Sequence, residues 1–205
     1  LGRTDGVVTK LDAQNGRILL STRVGGNAEE ALFGVTVLAN GDLIANGHTQ
    51  STNFAPGSRG SLFDVLFFRM SYDMKRLMWT TGVGGSGTDL TEHGLWAENS
   101  RILIPALTGS ADSPLGAGTG ALLLDVDPDT GSLTTVRRIF DGQGFTISPV
   151  VDSSGRIYVV GQTAVTNLQM TSDALQPTYG GGATDGFLVV LRPDGTREYA
   201  TYFGG

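Results

Sequence analysis

The stretch that decides the fold is TDGFLVVLRPDGTREYATYFGG, residues 184–205. Two apolar runs rich in Val, Leu, Phe and Tyr, at 186–191 and 197–203, flank the turn residues Arg192-Pro193-Asp194-Gly195. Short runs of β-branched and aromatic residues on either side of such a turn predict two antiparallel strands joined as a hairpin. The stretch ends on Gly204-Gly205, which predicts a further tight turn.

The same pattern recurs along the whole chain. Three series of similar segments recur with a period of about 60 residues: copies of the first strand, copies of the closing glycine pair, and a third series that precedes them. Such a period is the signature of a repeat architecture. The copies of the first strand are 4–11, 63–70, 118–126 and 184–191; the glycine pairs are Gly25-Gly26, Gly84-Gly85 and Gly204-Gly205, with a degraded copy at 138–142; and the third series is 41–49, 100–108 and 155–163.

Each period holds four short apolar stretches bounded by turn residues, and no window shows a helical period of useful length. Four antiparallel strands per repeat of about 60 residues are typical of a β-propeller blade. The sequence therefore predicts an all-β fold, a single β-propeller over 1–205 with three full blades and a half blade, as part of a larger ring. The predicted units are a half blade at 1–26, a blade at 27–85, a degenerate blade at 86–143 and a blade at 144–205.

The predicted half blade at 1–26 leaves one strand edge without a partner. It holds the last two strands of a blade, at about 6–11 and 17–24, and lacks the first two. An unpaired blade edge invites association with another strand. We therefore expect a piece of a longer protein, an open arc, or a partner that supplies the missing strands. A start at Leu1 rather than Met favours the first expectation.

The last unit resembles a known repeat. Its segments together are similar to the SBBP-type (seven-bladed) β-propeller repeat family, closely over 144–205, fairly over 27–85 and poorly over 86–143. The resemblance implies propeller architecture and an extracellular or cell-surface setting for an exported protein. It implies no catalytic site, because the pattern of this family is structural. The segments that carry it are 152–163, 174–182, 185–191, 193–196 and 199–205.

The composition narrows the classes of partner and chemistry. The net charge is −6 and the acidic residues are scattered, so a basic surface for nucleic acid is absent. The absence of cysteine excludes disulfides, thiolate metal sites and a cysteine nucleophile. Apolar runs such as 121–124 are too short to predict a membrane-spanning segment. Glycine, at 31 of 205 residues, is consistent with many tight turns.

Two motifs suggest ligand chemistry, and both are better explained as turns. Residues 82–87 match the G-x-G-x-x-G pattern of dinucleotide sites, but these glycines lie at the closing turn of the repeat, where no helix is predicted to hold a pyrophosphate. Asp125, Asp127 and Asp129 alternate as in a calcium loop, but the downstream glutamate of an EF-hand is missing. The positions aligned with these aspartates are hairpin turns, where Asp and Gly are common for backbone reasons.

The other candidates are single residues, and position in the repeat decides how each is interpreted. They are two isolated histidines (His48, His93), three recurring aspartates expected to accept backbone N–H bonds (Asp5, Asp64, Asp185), and two tryptophans that either pack in the core or stack on a partner (Trp79, Trp96). On this basis no catalytic, cofactor-binding or metal-binding residue is assigned, and no cofactor is predicted.

These observations favour a non-catalytic scaffold or binding module of a larger exported or cell-surface protein, with a protein or glycan partner. Variable polar loops at 48–62, 107–119 and 162–185 suit contact surfaces. One alternative is a fragment of a propeller enzyme, either a polysaccharide lyase or hydrolase or a quinoprotein. Residues 11–17 resemble a quinoprotein blade turn, although Leu20 stands where such repeats carry a docking tryptophan. Another alternative is a self-assembling subunit of an extracellular filament or surface layer.

Overall fold

The computed structural model describes residues 2–60, 62–91, 93–98 and 100–205, and within them every helix or strand element is a β-strand. Leu1, in the predicted half blade, and Ser61, in the predicted loop 48–62, lie outside the described residues, as do Glu92 and Asn99. The prediction of an all-β chain is confirmed. The strands are β1 (Gly6–Leu11), β2 (Ile18–Val24), β3 (Glu30–Val37), β4 (Leu43–Thr49), β5 (Asp64–Met70), β6 (Leu77–Val83), β7 (Asp89–Leu90), β8 (Trp96–Glu98), β9 (Arg101–Thr108), β10 (Gly120–Val126), β11 (Leu133–Asp141), β12 (Gly144–Thr146), β13 (Val150–Val151), β14 (Ile157–Thr163), β15 (Asp185–Leu191) and β16 (Arg197–Phe203).

These strands form four antiparallel sheets that follow one another along the chain. Sheet I contains β1 and β2, and sheet II contains β3 to β6 in chain order. In sheet III, β9, β10 and β11 pair in order, and the short strands β7 and β8 both pair with β9. Sheet IV repeats that plan, with β12 and β13 on β14, followed by β15 and β16. Consecutive strands pair throughout, as expected where short turns connect antiparallel neighbours.

The pairing register also repeats from sheet to sheet. The last hairpin of every sheet carries a β-bulge at the end of its first strand, which bends and twists the hairpin in the same place each time. In sheets II, III and IV a threonine ends the strand before this hairpin and lies opposite the first residue of the hairpin. Residues that share a position in this pattern are called register equivalents below. The threonine pairs are Thr49–Asp64, Thr108–Gly120 and Thr163–Asp185.

The four sheets stack face to face in chain order, and one apolar core fills each gap between neighbours. Residues of core I/II include Val8, Val24, Ala45, Leu66 and Phe68; those of core II/III include Ile44, Phe67, Ile102, Ile104 and Leu122; and those of core III/IV include Leu103, Leu123, Ile157, Val159 and Phe187.

The sequences of the central strands follow from this stacking. Side chains alternate between the two faces of a strand, so the adjacent residues Phe67 and Phe68 enter different cores. Sheets II and III are covered on both faces, and β5 and β10 are accordingly near-continuous apolar runs.

The G-x-G-x-x-G segment at 82–87 lies at the end of β6 and in the bend that follows it, and it leads into β7. The described ranges contain no helix that could hold a pyrophosphate there. The same ranges contain no helix with the length and apolarity needed to cross a membrane.

Candidate functional site

We call the first two strands of sheets II, III and IV the inner strands, and the side of a sheet that carries them its inner edge. In sheet I the inner edge is β1, and it is open in the part of the chain that the structure describes. Among the described residues β1 pairs with β2 alone, whereas its register equivalents β5, β10 and β15 have strand partners on both sides. This edge borders an apolar groove of about 620 Å³ between sheet I and the inner half of sheet II. We call it the β1 groove. Residues that line it include Val8 and Lys10 of β1, Val35 and Val37 of β3, and Tyr72 in the turn after β5.

Comparison with sheet III shows why the β1 groove is apolar. Val35 and Val37 are 61% and 62% exposed. The register equivalent of Val37 is Ala97; it and Leu95, just before β8, pack against core II/III, because the inner strands of sheet II lie in front of them. Among the described residues sheet I has no inner strands, so the two valines face the groove. Grouped exposed apolar side chains of this kind mark interaction sites.

A charged pair recurs where the second and third strands of a sheet meet. In sheet II, Nη2 and Nε of Arg69 donate to Oδ2 of Asp42 over 2.8 and 3.0 Å. In sheet III the signs are exchanged, and Nη2 of Arg101 donates to Oδ2 of Asp125 over 2.5 Å. The register equivalent of Arg69 and Asp125 in sheet I is Lys10, which is exposed in the β1 groove and forms no ion pair with any described residue. One half of the recurring pair is therefore present there.

The pair in sheet II shows the electrostatic environment of this position when both strands are in place. Burial alone would raise the pKa of Asp42, but hydrogen bonds from Arg69 and Asn40 outweigh it and hold the pKa below its ordinary value. Burial opposes the charge of Arg69 as well, yet its bonds to Asp42 and Asp129 raise the pKa of the guanidinium. Since the side chains of Arg69 and Asp42 are each only 12% exposed, solvent screens this attraction weakly.

Buried or half-buried carboxylates at the loop end of the sheets hold the glycine turns and the long loops. The recurring aspartates were predicted to accept backbone N–H bonds, and Asp5, Asp64 and Asp185 do so. Glu30 and Asp89 accept bonds from the closing glycine pairs in the same way. The bonds run to Asp5 from Gly2 (3.2 Å), to Asp64 from Arg59 (2.7 Å), to Asp185 from Gly180, to Glu30 from Gly26 (3.0 Å) and to Asp89 from Gly85 (2.7 Å). These acids therefore stabilise the loops.

The aspartates of the possible calcium loop point to separate partners. Asp125 lies in β10 and binds Arg101, together with Arg137. Asp127 caps its own turn by accepting the amide of Asp129, while the carboxylate of Asp129 reaches Arg69 in sheet II. In the part of the chain that the structure describes, no group of three or more His, Asp or Glu side chains could hold a metal ion.

The two histidines and the two tryptophans pack against separate neighbours. His48 lies between the rings of Phe33 and Phe63, with ring centroids 5.2 and 4.3 Å away. His93 follows β7 and contacts Phe145. Trp79 packs on core II/III and donates its indole N–H to the carbonyl of Pro128 over 3.0 Å. Trp96 packs on core III/IV.

In comparisons with known proteins, no family model matches this chain and no curated protein shows significant similarity to it. The resemblance to the SBBP-type repeat therefore stays a prediction that rests on the segments quoted above.

Only part of the β1 groove could be predicted from the sequence. The missing first strands of the opening unit are apparent from the repeat alone, but the residues that line the resulting space come from two sheets. The exchanged charges at Asp42–Arg69 and Arg101–Asp125 could have been found by aligning the repeats, because both pairs occupy equivalent positions.

Proposed function

We propose that this chain is a non-catalytic β-propeller scaffold or binding module of a larger exported or cell-surface protein, and that it makes protein or glycan contacts. Its four stacked meander sheets support the propeller interpretation. Sheet I is then the half blade, and sheets II, III and IV are the three full blades of part of a larger ring. The resemblance to SBBP-type repeats supports the exported or cell-surface setting.

The observation that carries the binding role is the β1 groove. It combines an unpaired strand edge with exposed apolar side chains, two features that together recruit extended segments or other flat apolar surfaces. The buried carboxylates, by contrast, are bonded to backbone amides of their own loops. This arrangement favours a contact surface over a reaction centre.

The test is a binding screen of the full chain with a variant that blocks the groove. Strand-forming peptides and soluble polysaccharides are passed over immobilised chain, and each bound probe is retested on Val35→Lys. Val35 is exposed, so a lysine there places a charge in the groove without disturbing a core. Leu175→Lys is the matched control, because Leu175 is 72% exposed and lies outside the groove lining.

We expect at least one probe to bind the chain and the Leu175→Lys variant equally, and to lose binding to Val35→Lys. Cleavage of a polysaccharide by the purified chain would instead support the enzyme alternative. Concentration-dependent assembly that Val35→Lys leaves intact would favour the filament or surface-layer alternative.

A further inference from the structure

We propose that the outer edge of sheet III, formed by its last strand β11, binds an extended, acidic segment of another protein, which pairs with the backbone at 136–138 and places a carboxylate on Arg197. This site is separate from the β1 groove and does not depend on it. Sheets II and IV lie on either side of sheet III with all their strands in place, so the openness of this edge has its cause within sheet III.

In sheets II and IV the long loop of the sheet itself covers the outer edge. The loop after β4 gives the carbonyl of Pro56 to the amide of Gly82 over 2.9 Å. The loop after β14 gives the carbonyl of Gln176 to the amide of Tyr202 over 3.1 Å, and it also bonds to the N–H and C=O of Ala200. The backbone groups that point out of these two outer strands therefore have partners, and such cover protects a strand edge from pairing with another chain.

Sheet III lacks this cover among the described residues. Val136 and Arg138 of β11 are the register equivalents of Ala200 and Tyr202. The connection from β9 to β10 is the shortest of the three long loops, and no backbone group of its residues 109–119 bonds to β11. By this register the amides of Val136 and Arg138 point out of the sheet, and the loop offers them no acceptor. The edge can therefore accept an added strand.

One arginine beside this edge has no carboxylate partner. Arg137 and Arg138 form ion pairs within sheet III. Arg197 of β16 donates instead to the carbonyls of Ile139 in β11 over 2.9 Å and of Gln169 over 2.7 Å, and it forms no ion pair with any described residue. Burial lowers the pKa of Arg197, because removal from water disfavours its charge. A carboxylate of the ligand would supply the missing opposite charge.

The covering loops also predict the direction of the ligand. In sheet II, Phe54 bonds to Thr80 and Pro56 bonds to Gly82, so the loop runs parallel to β6. A ligand that runs the same way along β11 reaches Ile139, beside the unpaired arginine, only after its paired residues. Its acid is therefore expected on the C-terminal side of the segment that pairs. Because the edge offers backbone N–H and C=O groups at strand spacing, the matching partner is a polypeptide.

Amide hydrogen exchange of the free chain tests whether the edge is open. The amide of Arg138 should exchange about tenfold faster than those of Gly82 and Tyr202, because only the latter two donate to a loop carbonyl. Equal protection of the three amides would show that the edge is covered, and the proposal would then be wrong.

The binding probe is the end-blocked peptide Ser-Thr-Val-Thr-Val-Asp-Ser, in which strand-forming residues precede one acid. The matched control peptide has Asn in place of Asp. On the chain, Arg197→Gln removes the proposed partner of the carboxylate. Arg23→Gln is the control variant, because Arg23 is exposed in β2 and also forms no ion pair with any described residue. Val35→Lys blocks the β1 groove.

We expect the Asp peptide to slow exchange of the amides of Val136 and Arg138, and to bind about tenfold more tightly than the Asn peptide. Arg197→Gln should abolish that difference, whereas Arg23→Gln and Val35→Lys should retain it. The comparison of the two peptides on the unmodified chain does not depend on how Arg197→Gln folds. The absence of protection in β11 at millimolar concentrations of either peptide would overturn the proposal, as would equal affinity of both peptides for the unmodified chain.

The outcomes also separate this site from the β1 groove. If Val35→Lys abolishes binding of the peptide, the peptide lies in the groove and the β11 proposal is wrong. If the peptide protects β11 while no probe of the binding screen requires Val35, the β11 site stands and the groove loses its role. Self-association of the free chain that protects β11 from exchange would identify a second copy as the occupant and overturn the choice of partner.

Discussion

Truncation of Leu66 tests the stacking of the sheets, because its register equivalent in sheet I provides an internal control. Leu66 lies in β5, faces sheet I and is 0% exposed in core I/II. Val7 holds the same position in β1 but has no sheet in front of it among the described residues, and it is 58% exposed. The two side chains differ mainly in whether a neighbouring sheet covers them.

Leu66→Ala removes a fully buried side chain and leaves a cavity between two sheets, which costs about 2–5 kcal/mol in the free energy of unfolding. For a chain of 205 residues this loss corresponds to a decrease in Tm of roughly 4–20 °C, at roughly 2–4 °C per kcal/mol. Val7→Ala removes atoms that already face water, so its cost should stay below about 0.5 kcal/mol.

The assay is urea and thermal unfolding, followed by circular dichroism and by the fluorescence of the two tryptophans. The decisive quantity is the ratio of the two losses in the free energy of unfolding. Similar losses for Leu66→Ala and Val7→Ala would show that sheet I does not cover β5, and the stacking argument would then be wrong.

Three further predictions concern the loop end of the sheets and its acids. Asp89→Ala leaves the buried amide of Gly85 and the hydroxyl of Ser110 without their acceptor, so we expect a loss of about 2–6 kcal/mol in chemical denaturation. Gly84→Ala directs a Cβ into a buried carboxylate oxygen of a neighbouring strand and should cost about 1–3 kcal/mol, measured in the same way. Asp112 accepts backbone and side-chain hydrogen bonds that lower its pKa from 3.8 to about 2. Its contribution to stability is therefore present above pH 4 and lost as the pH falls toward 2, and Asp112→Asn should flatten Tm over that interval.

The strands and turns of this chain could be predicted from the sequence because their signals are local. Alternating or continuous apolar runs, with Gly, Asp and Pro between them, specify where a strand begins and ends regardless of what lies beside it. The hairpin of β15 and β16 follows the predicted stretch at 186–203 closely, and its turn closes at Gly195 with φ +86°. The role of Asp64 and Asp185 as acceptors of backbone amides was likewise apparent from their recurrence before one strand.

The exchanged charges could not be predicted from the motif around a single residue. The alternating carboxylates around Asp125 suggest a calcium ligand, yet Asp125 lies on a strand between two arginines. The other carboxylates of the motif, Asp127 and Asp129, lie in the turn after β10, whereas Arg101 comes from the preceding strand of the sheet. Such partners become visible only when the strands are aligned in register.

The sequence by itself determined the repeat period, the all-β class and the positions of the hairpin turns, because these depend on the order of residues within a few positions of each other. Only the tertiary structure decided which apolar faces are covered. Val37 and Ala97 occupy the same register position, yet Val37 faces the β1 groove and Ala97 packs on a core. Burial depends on the presence of a neighbouring sheet, and the local pattern of a strand contains no information about that neighbour.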